Sequence, residues 1–554
     1  MADVRTISVI SSAGSRRLQS MGVLGGVAGV AALVSFTVTL LRLPALLAAV
    51  YRFSDAPELS YISQGLATGH GPQLLPTQTS IGVIWFDELL QWVPFRAGVE
   101  YWTGPVLTVA LGLLLVRTAH VLLGRKGTLL TSVLLLVLPT VVLWPLLFPD
   151  NHITTYAAAV LLAWHLVLDL RDRRSALRSV LVGIVVGVGV VTDPQLLAFG
   201  VVPYIATVAV LRRRVTAHQA RSLVVTLCAA VVAVGLSFLV MRLQGIRTVS
   251  ILPGSAGISG VIRGIGLAIQ TFAWTLGGGW YGEAISILAV ALCVVAVSSL
   301  VALVVVGVRQ RAAAQQRNAP LDTPLAGYGL FWGLAFVFLL GAFVFLGYGA
   351  GGAPMQGHYL VGCYLAAVAL LPVIVVRYGP GALAGWRSRG VAAALLAVGV
   401  FSVFAVNNAV STATFNASLF YDQLQVPAAD DLLPVLLEHG LTRGYSGYWE
   451  SYDLDWRAKG VLSVWPLLGG STACGGGAAS LCPYDFAPKG EYTPAAGRTF
   501  IITPWTGETC GKSLPSVAIF GPPEAVYTRG PYTISVYGYD VASRLSKDAA
   551  SLFC

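Results

Sequence analysis

Arg52-Phe53-Ser54-Asp55-Ala56-Pro57-Glu58 places two acids three residues apart, directly after an apolar run. A carboxylate at a membrane surface can serve as general base toward a sugar hydroxyl. The same D-A-P-E also spells a helix start, with Asp55 as N-cap, Pro57 in the first turn and Glu58 reaching back. The two roles are compatible, because a capping carboxylate can leave one oxygen exposed.

Polar residues gather at two further junctions, Pro149-Asp150-Asn151-His152 and Thr192-Asp193-Pro194. Asp150 or Asn151 can cap the helix that follows. Asp193 with Pro194 behind it has the full pattern of an N-cap and N1 pair. Acids at a membrane boundary face protein or a wet cavity rather than lipid, so Asp150, His152 and Asp193 also fit a shared site. Arg247 and Arg263 suit bidentate contact with a lipid phosphate, or plain attraction to anionic head groups. Asp87 and Glu88 could join Asp55 around a divalent cation, but no ligand spacing supports that, and a solvated helix face accounts for them. The sequence therefore names no metal and no cofactor. His120 and His165 lie inside apolar runs and read as packed or hydrogen-bonded residues.

The elements that must position these residues follow from composition. Of 554 residues 56% are hydrophobic and only 11% charged, with a mean hydropathy of +0.75. Soluble chains carry roughly 25% charged residues. A membrane-embedded chain follows, and no soluble fold class fits. The net charge of +10 does not indicate a nucleic-acid partner, because the basic residues form short clusters between apolar runs. The excess of Arg over Lys and the abundance of Ala, Val and Gly are a compositional bias compatible with a GC-rich genome.

Apolar runs read as 21–50, 104–123, 128–148, 153–169, 179–192, 194–211, 222–241, 284–308, 326–348, 358–376 and 391–411. Arg and Lys cluster around 5–17, 125–126, 171–178, 212–221, 309–317 and 377–389, in alternate loops. Basic clusters mark the cytoplasmic side, and eleven crossings keep every cluster there. The stretch 264–281 must then stay out of the crossing set, as an external interfacial or re-entrant segment. The first run is too long and too poor in a cleavage site for a signal peptide, so it stays as an anchor.

This divides the chain into a cytoplasmic N-terminus (1–20), a transmembrane domain (21–411) and a polar extracytoplasmic domain (412–554), small and either α/β or mainly β. Cys228, Cys293 and Cys363 lie in apolar runs and read as small packing residues. Cys474, Cys482, Cys510 and Cys554 lie in the tail, where two disulfides are expected, first Cys474–Cys482 and Cys510–Cys554 on loop length. In the external loop 51–103, segments 55–66 and 80–93 carry apolar stripes (Leu59, Ile62, Leu66; Ile81, Ile84, Trp85, Leu89, Trp92). These suit helices lying on the membrane surface. Gly69, Gly71, Pro72 and Pro76 between them read as turn chemistry. The tail aromatics Tyr445, Tyr448, Trp449, Tyr452, Trp456 and Trp465 suit either carbohydrate stacking or a small core.

A long first external loop with two surface helices, an aspartate just past the first crossing, about eleven spans and a C-terminal external domain resemble the GT-C glycosyltransferases. More narrowly, S-D-A-P-E, P-T-Q-T-S-I-G-V-I-W-F and G-L-T-R-G-Y-S-G-Y-W resemble a group of actinobacterial membrane proteins built on that plan. The resemblance implies an inverting transfer of a sugar from a polyprenyl phosphate to a cell-envelope glycan, lipid or protein acceptor, on the outside of the plasma membrane. It implies Asp55 as the catalytic base. Many such enzymes open a late helix near the donor phosphate with an Arg-Tyr pair, and the matching place here is His358-Tyr359. The arginine is a histidine, which leaves open a non-catalytic scaffold or glycan-binding protein of the same layout. A transporter or lipid flippase fits less well, since no repeat is evident and mid-helix positions are almost free of charge.

The side assignment is testable by labelling. A cysteine placed at Pro354 should react with an impermeant thiol reagent added outside intact cells, and one placed at Arg174 should not. The reverse pattern would overturn the topology.

Overall fold

The computed structural model describes residues 28–47, 62, 66, 74–76, 84–85, 99–147, 152–173, 175–212, 216–249, 257–277, 281–282, 287, 322–349, 354–384, 389–414, 429–458, 460–469, 481–483, 492–503 and 519–545. The first helix is α1 (Ala28–Leu47). After strand β1 (Leu74–Pro76) come α2 (Val99–Leu136), α3 (Thr140–Leu147), α4 (Ile153–Leu170) and α5 (Ala176–Thr192). A π-turn at Leu197–Val201 leads into α6 (Val202–Val210), then α7 (Ala217–Leu243), strand β2 (Arg247–Val249) and α8 (Ile258–Gly277). The bundle ends with α9 (Thr323–Phe345), a 3₁₀ turn (Pro354–Leu360), α10 (Val361–Ala384) and α11 (Arg389–Thr414).

Six of the described helices are long and apolar enough to cross a membrane, and Ala176–Thr192 and Leu197–Val210 are shorter apolar helices. The longest, α2, is two legs. Gly124 breaks it at φ 67°, and His120 Nδ1 lies 3.0 Å from Thr128 Oγ1, eight residues on. A straight helix would separate those residues by about 12 Å, so the chain doubles back with Arg125 and Lys126 at its tip. This is where two separate apolar runs were expected. Run 284–308 falls almost wholly outside the described residues.

Buried polar groups fasten the helices together. Pro139 lies between the end of α2 and α3, and the carbonyl of Leu138 accepts from Asn408 Nδ2 at 3.1 Å. Asn408 also donates to Ser35 Oγ and accepts from the Thr140 N–H, which ties α1, α3 and α11 into one node. At the far end of α4, Asp169 accepts from Arg178 Nη2 at 2.5 Å and from Ser222 Oγ at 2.6 Å. Arg178 Nε donates to His165 Nδ1 at 3.0 Å, and His165 Nε2 lies 3.0 Å from Thr226 Oγ1. Both Asp169 oxygens and both His165 ring nitrogens thus have partners, which is what makes the cluster tolerable in a low-dielectric interior. Arg178 was read as part of a charged loop; it is instead folded back onto Asp169. Cys363 is buried as expected, whereas Cys228 is exposed on the outer face of α7.

Helices α5 and α7 meet through glycine. A Cβ on Gly183 would lie 2.4 Å from the Thr226 carbonyl oxygen, and one on Gly187 would lie 2.3 Å from that of Ala230. Absence of a side chain lets the two backbones touch, as at the small-residue interfaces of membrane helices. Helix α8, on the stretch read as interfacial, packs along α9, where Phe272 stacks on Phe336 at 6.0 Å. Gly264 meets Val344 at the end of α9, and Thr271 meets Gly357 ahead of α10.

The first loop differs from expectation in two ways. Ile62 and Ile84 are fully buried against Val191, Met241 and Ile246, so these apolar stripe positions cover protein rather than lipid. Trp85 Nε1 donates to Gln244 Oε1 at 3.2 Å on the same surface. The Pro-flanked segment read as a turn contains β1, which pairs in parallel with β2, Leu74 opposite Arg247.

In the tail, helices α12 (Ala429–Glu438) and α13 (Tyr448–Ala458) accompany six strands, β3 (Arg443–Ser446), β4 (Ser463–Gly469), β5 (Leu481–Pro483), β6 (Thr499–Thr503), β7 (Ala525–Arg529) and β8 (Tyr532–Tyr537). The sheet order is β5-β4-β3-β6-β8-β7, with β3 parallel to β4 and β6. Alternate residues of β6 serve two cores: Phe500 and Ile502 pack with Leu432, Leu436 and Leu454, while Ile501 packs with Tyr445 and Tyr537. A strand buried on both faces with helices on one of them makes the tail α/β rather than mainly β. Cys482 lies on β5; Cys474, Cys510 and Cys554 lie outside the described residues, so the expected disulfides do too.

Replacing Gly187 by Leu should lower the thermal midpoint of the purified chain, by overpacking worth about 1–3 kcal/mol. Gly235→Ala, on the facing helix α7 with nothing within 4 Å of an added Cβ, should not lower it. Equal midpoints for the two variants would contradict the close α5–α7 seam.

Candidate functional site

Three segments far apart in sequence converge at the end of the bundle opposite Asp169. The first is the start of α4. His152 is its N-cap residue and makes no side-chain capping bond. The ring is thus released from the role foreseen for Asp150 or Asn151, and its Nδ1 lies 2.5 Å from Asp193 Oδ2. One turn on, Thr155 donates its hydroxyl to the same oxygen at 2.6 Å.

Asp193 closes α5 in an extended conformation, its own N–H still bonded to the Gly189 carbonyl. Its Oδ1 accepts the Gln195 N–H at 2.9 Å, the bond an N-cap makes ahead of a proline-led helix. Capping and site membership are therefore both realised, one oxygen for each. The side chain is fully buried, and among the described residues its ion-pair partner is His152.

The third segment is the 3₁₀ turn before α10. Gln195 Nε2 donates to the Tyr359 carbonyl at 3.0 Å, which couples this turn to Asp193. The His358 ring stacks on His152 at 5.7 Å, and Tyr359 tilts against His152 at 4.9 Å. Tyr348 leans on Tyr359 at 5.0 Å. Burial, then the Asp193 carboxylate, then Tyr359 push the Tyr348 hydroxyl well above its ordinary range, so it stays protonated at any physiological pH. Gly357 lets the turn close on α8: a Cβ there would lie 2.4 Å from Thr271 Oγ1 and 2.8 Å from the Tyr281 ring. Tyr281 in turn donates to the Val141 carbonyl at 3.0 Å.

Of the residues singled out in sequence, His152, Asp193, His358 and Tyr359 come together. Arg247 is placed by its backbone on β2, and Arg263 is exposed on α8, the helix that backs the His358 turn. Asp55, Glu58, Asp87, Glu88 and Asp150 lie outside the described residues. Sequence reasoning missed Thr155, Gln195 and Tyr348. Thr155 and Gln195 carry a signal, because each sits within three residues of a member already noted. In the tail, Tyr445 and Tyr452 are fully buried, so those two aromatics serve the core and not a stacking platform. No cluster of three or more metal-binding side chains occurs among the described residues.

No family model matches the chain, and no curated protein matches it in sequence. Among solved structures the chain is similar to the crystal structure of ArnT from Cupriavidus metallidurans bound to undecaprenyl phosphate, with a TM-score of 0.49 and 12% identity. That likeness covers 90% of this chain and 97% of the other. At such values it assigns no role to any residue here.

Removing the Asp193 carboxylate leaves His152, Thr155 and the Gln195 N–H without their acceptor. Asp193→Ala should cost about 3–5 kcal/mol, the range for breaking a buried pair from one side. Asp193→Asn keeps an acceptor for the cap and should cost clearly less. Thermal midpoints that do not separate the two variants would contradict this division of labour between the oxygens.

Proposed function

We propose that the chain is an integral membrane glycosyltransferase that moves a sugar from a polyprenyl-phosphate donor to a cell-envelope glycan, lipid or protein acceptor. The transfer takes place on the extracytoplasmic side, with inversion, and Asp55 is the general base. The observation that carries the reading is the buried His152–Asp193 pair with His358 and Tyr359, at the end of the bundle against which the first loop packs. Ile62, seven residues after Asp55, is buried against Val191, two residues before Asp193. Seven residues span at most about 25 Å, a separation compatible with Asp55 acting at this end.

In this mechanism Asp55 takes the proton of the acceptor hydroxyl while its oxygen bonds to the anomeric carbon. The bond from that carbon to the phosphate oxygen breaks, and the electron pair leaves with the phosphate. Positive charge near the departing phosphate lowers the barrier most when it is fixed in place beforehand. Arg247, Arg263 and His358 are the candidates for that charge. Thr155, Gln195 and the Asp193 carboxylate hold the rings around it. In this reading the tail, residues 412–554, lies on the extracytoplasmic side.

The scaffold reading rests on His358 standing where the resemblance places an arginine. One assay separates the two. With a polyprenyl-phosphate-linked sugar in lipid vesicles, the wild-type chain should release polyprenyl phosphate, and Asp55→Asn should lower the rate by about 10²–10⁴-fold. The Asn variant should keep its thermal midpoint, because an amide still caps a helix. A folded Asn variant working at the wild-type rate would remove Asp55 from the chemistry. An inactive wild type would favour the scaffold.

A further inference from the structure

The chain contains its own control for His152. His165 lies on the same helix, α4, and uses both ring nitrogens, Nδ1 accepting from Arg178 and Nε2 meeting Thr226 and Asp169. That is how a structural histidine is satisfied in an interior. His152 is just as buried, at 2% exposure, yet only its Nδ1 is engaged. Its Nε2 is buried and has no hydrogen-bond partner among the described residues. An unmet buried ring nitrogen in such a place calls for an explanation, and a bound ligand supplies one.

Charge indicates what that is. The buried Asp193 carboxylate is met by His152 Nδ1, Thr155 Oγ1 and the Gln195 N–H, three groups directed at its two oxygens. Among the described residues no Lys or Arg pairs with it, and its ion-pair partner is His152. A ring that donates from both nitrogens meets Asp193 with Nδ1–H and turns Nε2–H toward an acceptor. Among the described residues the rings that meet the His152 ring are those of His358, Tyr359 and Tyr156, and further out Tyr348, none of them a carboxylate. The surroundings suit an anionic oxygen. They also adjoin lipid: α8, which backs the His358 turn through Thr271, exposes Ile258, Ile262, Ile265 and Ile269 as one apolar stripe.

We propose that His152 Nε2–H, with the stacked His358 ring beside it, seats the phosphate of a prenyl phosphate monoester, and that Asp193 positions His152 for that task. The proposal rests on the transferase reading and assigns the phosphate seat to a histidine pair instead of an arginine. In transfer, the departing phosphate gains a negative charge when its bond to the anomeric carbon breaks, and the His152 proton lies against the oxygen that receives it. No other proton is needed, since the acceptor's proton goes to Asp55.

The test is binding of farnesyl phosphate, farnesol and inorganic phosphate to the full chain in lipid nanodiscs. Farnesyl phosphate should bind at least roughly tenfold more tightly than farnesol, the effect of one charge-assisted contact. His152→Asn keeps an N–H for Asp193 and deletes only the inward nitrogen. It should weaken farnesyl phosphate by a similar factor and leave farnesol unaffected. Unchanged binding in a folded His152→Asn would overturn the seat, and inorganic phosphate competing at equal concentration would overturn its assignment to a lipid. Should the variant not fold, an experimental structure of the unaltered chain with farnesyl phosphate decides: a phosphate oxygen must lie within about 3 Å of Nε2, and any other location refutes the proposal. The transferase reading fails separately. Binding that depends on His152 in a chain without turnover keeps the seat and removes the reaction; turnover with binding indifferent to His152 does the opposite.

Discussion

A carboxylate in an apolar interior must have its charge and its lone pairs met, and Asp193 is the residue here on which that requirement falls most heavily. Its two oxygens reach in different directions. One starts the helix after α5 through the Gln195 N–H; the other holds His152 and Thr155 at the head of α4. Gln195 then reaches the Tyr359 carbonyl and brings the turn before α10 into the same cluster. One buried charge thus fixes three segments whose sequence positions differ by up to two hundred residues. The cost of burying it unpaired would exceed any gain from packing around it.

Elsewhere the bundle uses the same logic with smaller stakes. The Asp169 cluster closes the opposite end between α4, α5 and α7, and the Asn408 node joins α1, α3 and α11. Between the two ends, Gly183 and Gly187 bring α5 against α7 with no side chain between. Since lipid offers helices no hydrophobic reason to associate, close van der Waals contact and satisfied polar nodes have to do so. The Asp193 end differs from the other two nodes in one respect, the His152 nitrogen that nothing in the described protein meets.

Much of this was legible in the sequence. Apolar runs placed the helices, and Arg125-Lys126 at Gly124 marked the turn of the first helical hairpin, because charge and a glycine inside an apolar stretch permit little else. His152, Asp193 and His358 were visible as polar residues at helix ends. That they meet was not, since contact across 41 and 206 residues depends on which helices become neighbours. Asp169 escaped notice because an acid at the end of an apolar run looks like a loop residue until Arg178 and Ser222 surround it. The first loop misled for a related reason: an amphipathic stripe says that Ile62 and Ile84 need cover, and lipid and protein provide cover equally well to the eye. The parallel pairing of Leu74 with Arg247 has no local signal at all, for its partner lies far along the chain.

The coupling between Asp193 and His152 is the most direct measure of whether one buried pair organises this end of the molecule. A double-mutant cycle on thermal stability, with Asp193→Ala, His152→Ala and the two combined, isolates it. Contacting residues in one network couple by about 0.5–3 kcal/mol, and the pair should fall in the upper half of that range, the double variant being much less damaged than the sum of the singles. Additive losses would mean that the two residues act independently and that the cluster is not held together by this carboxylate.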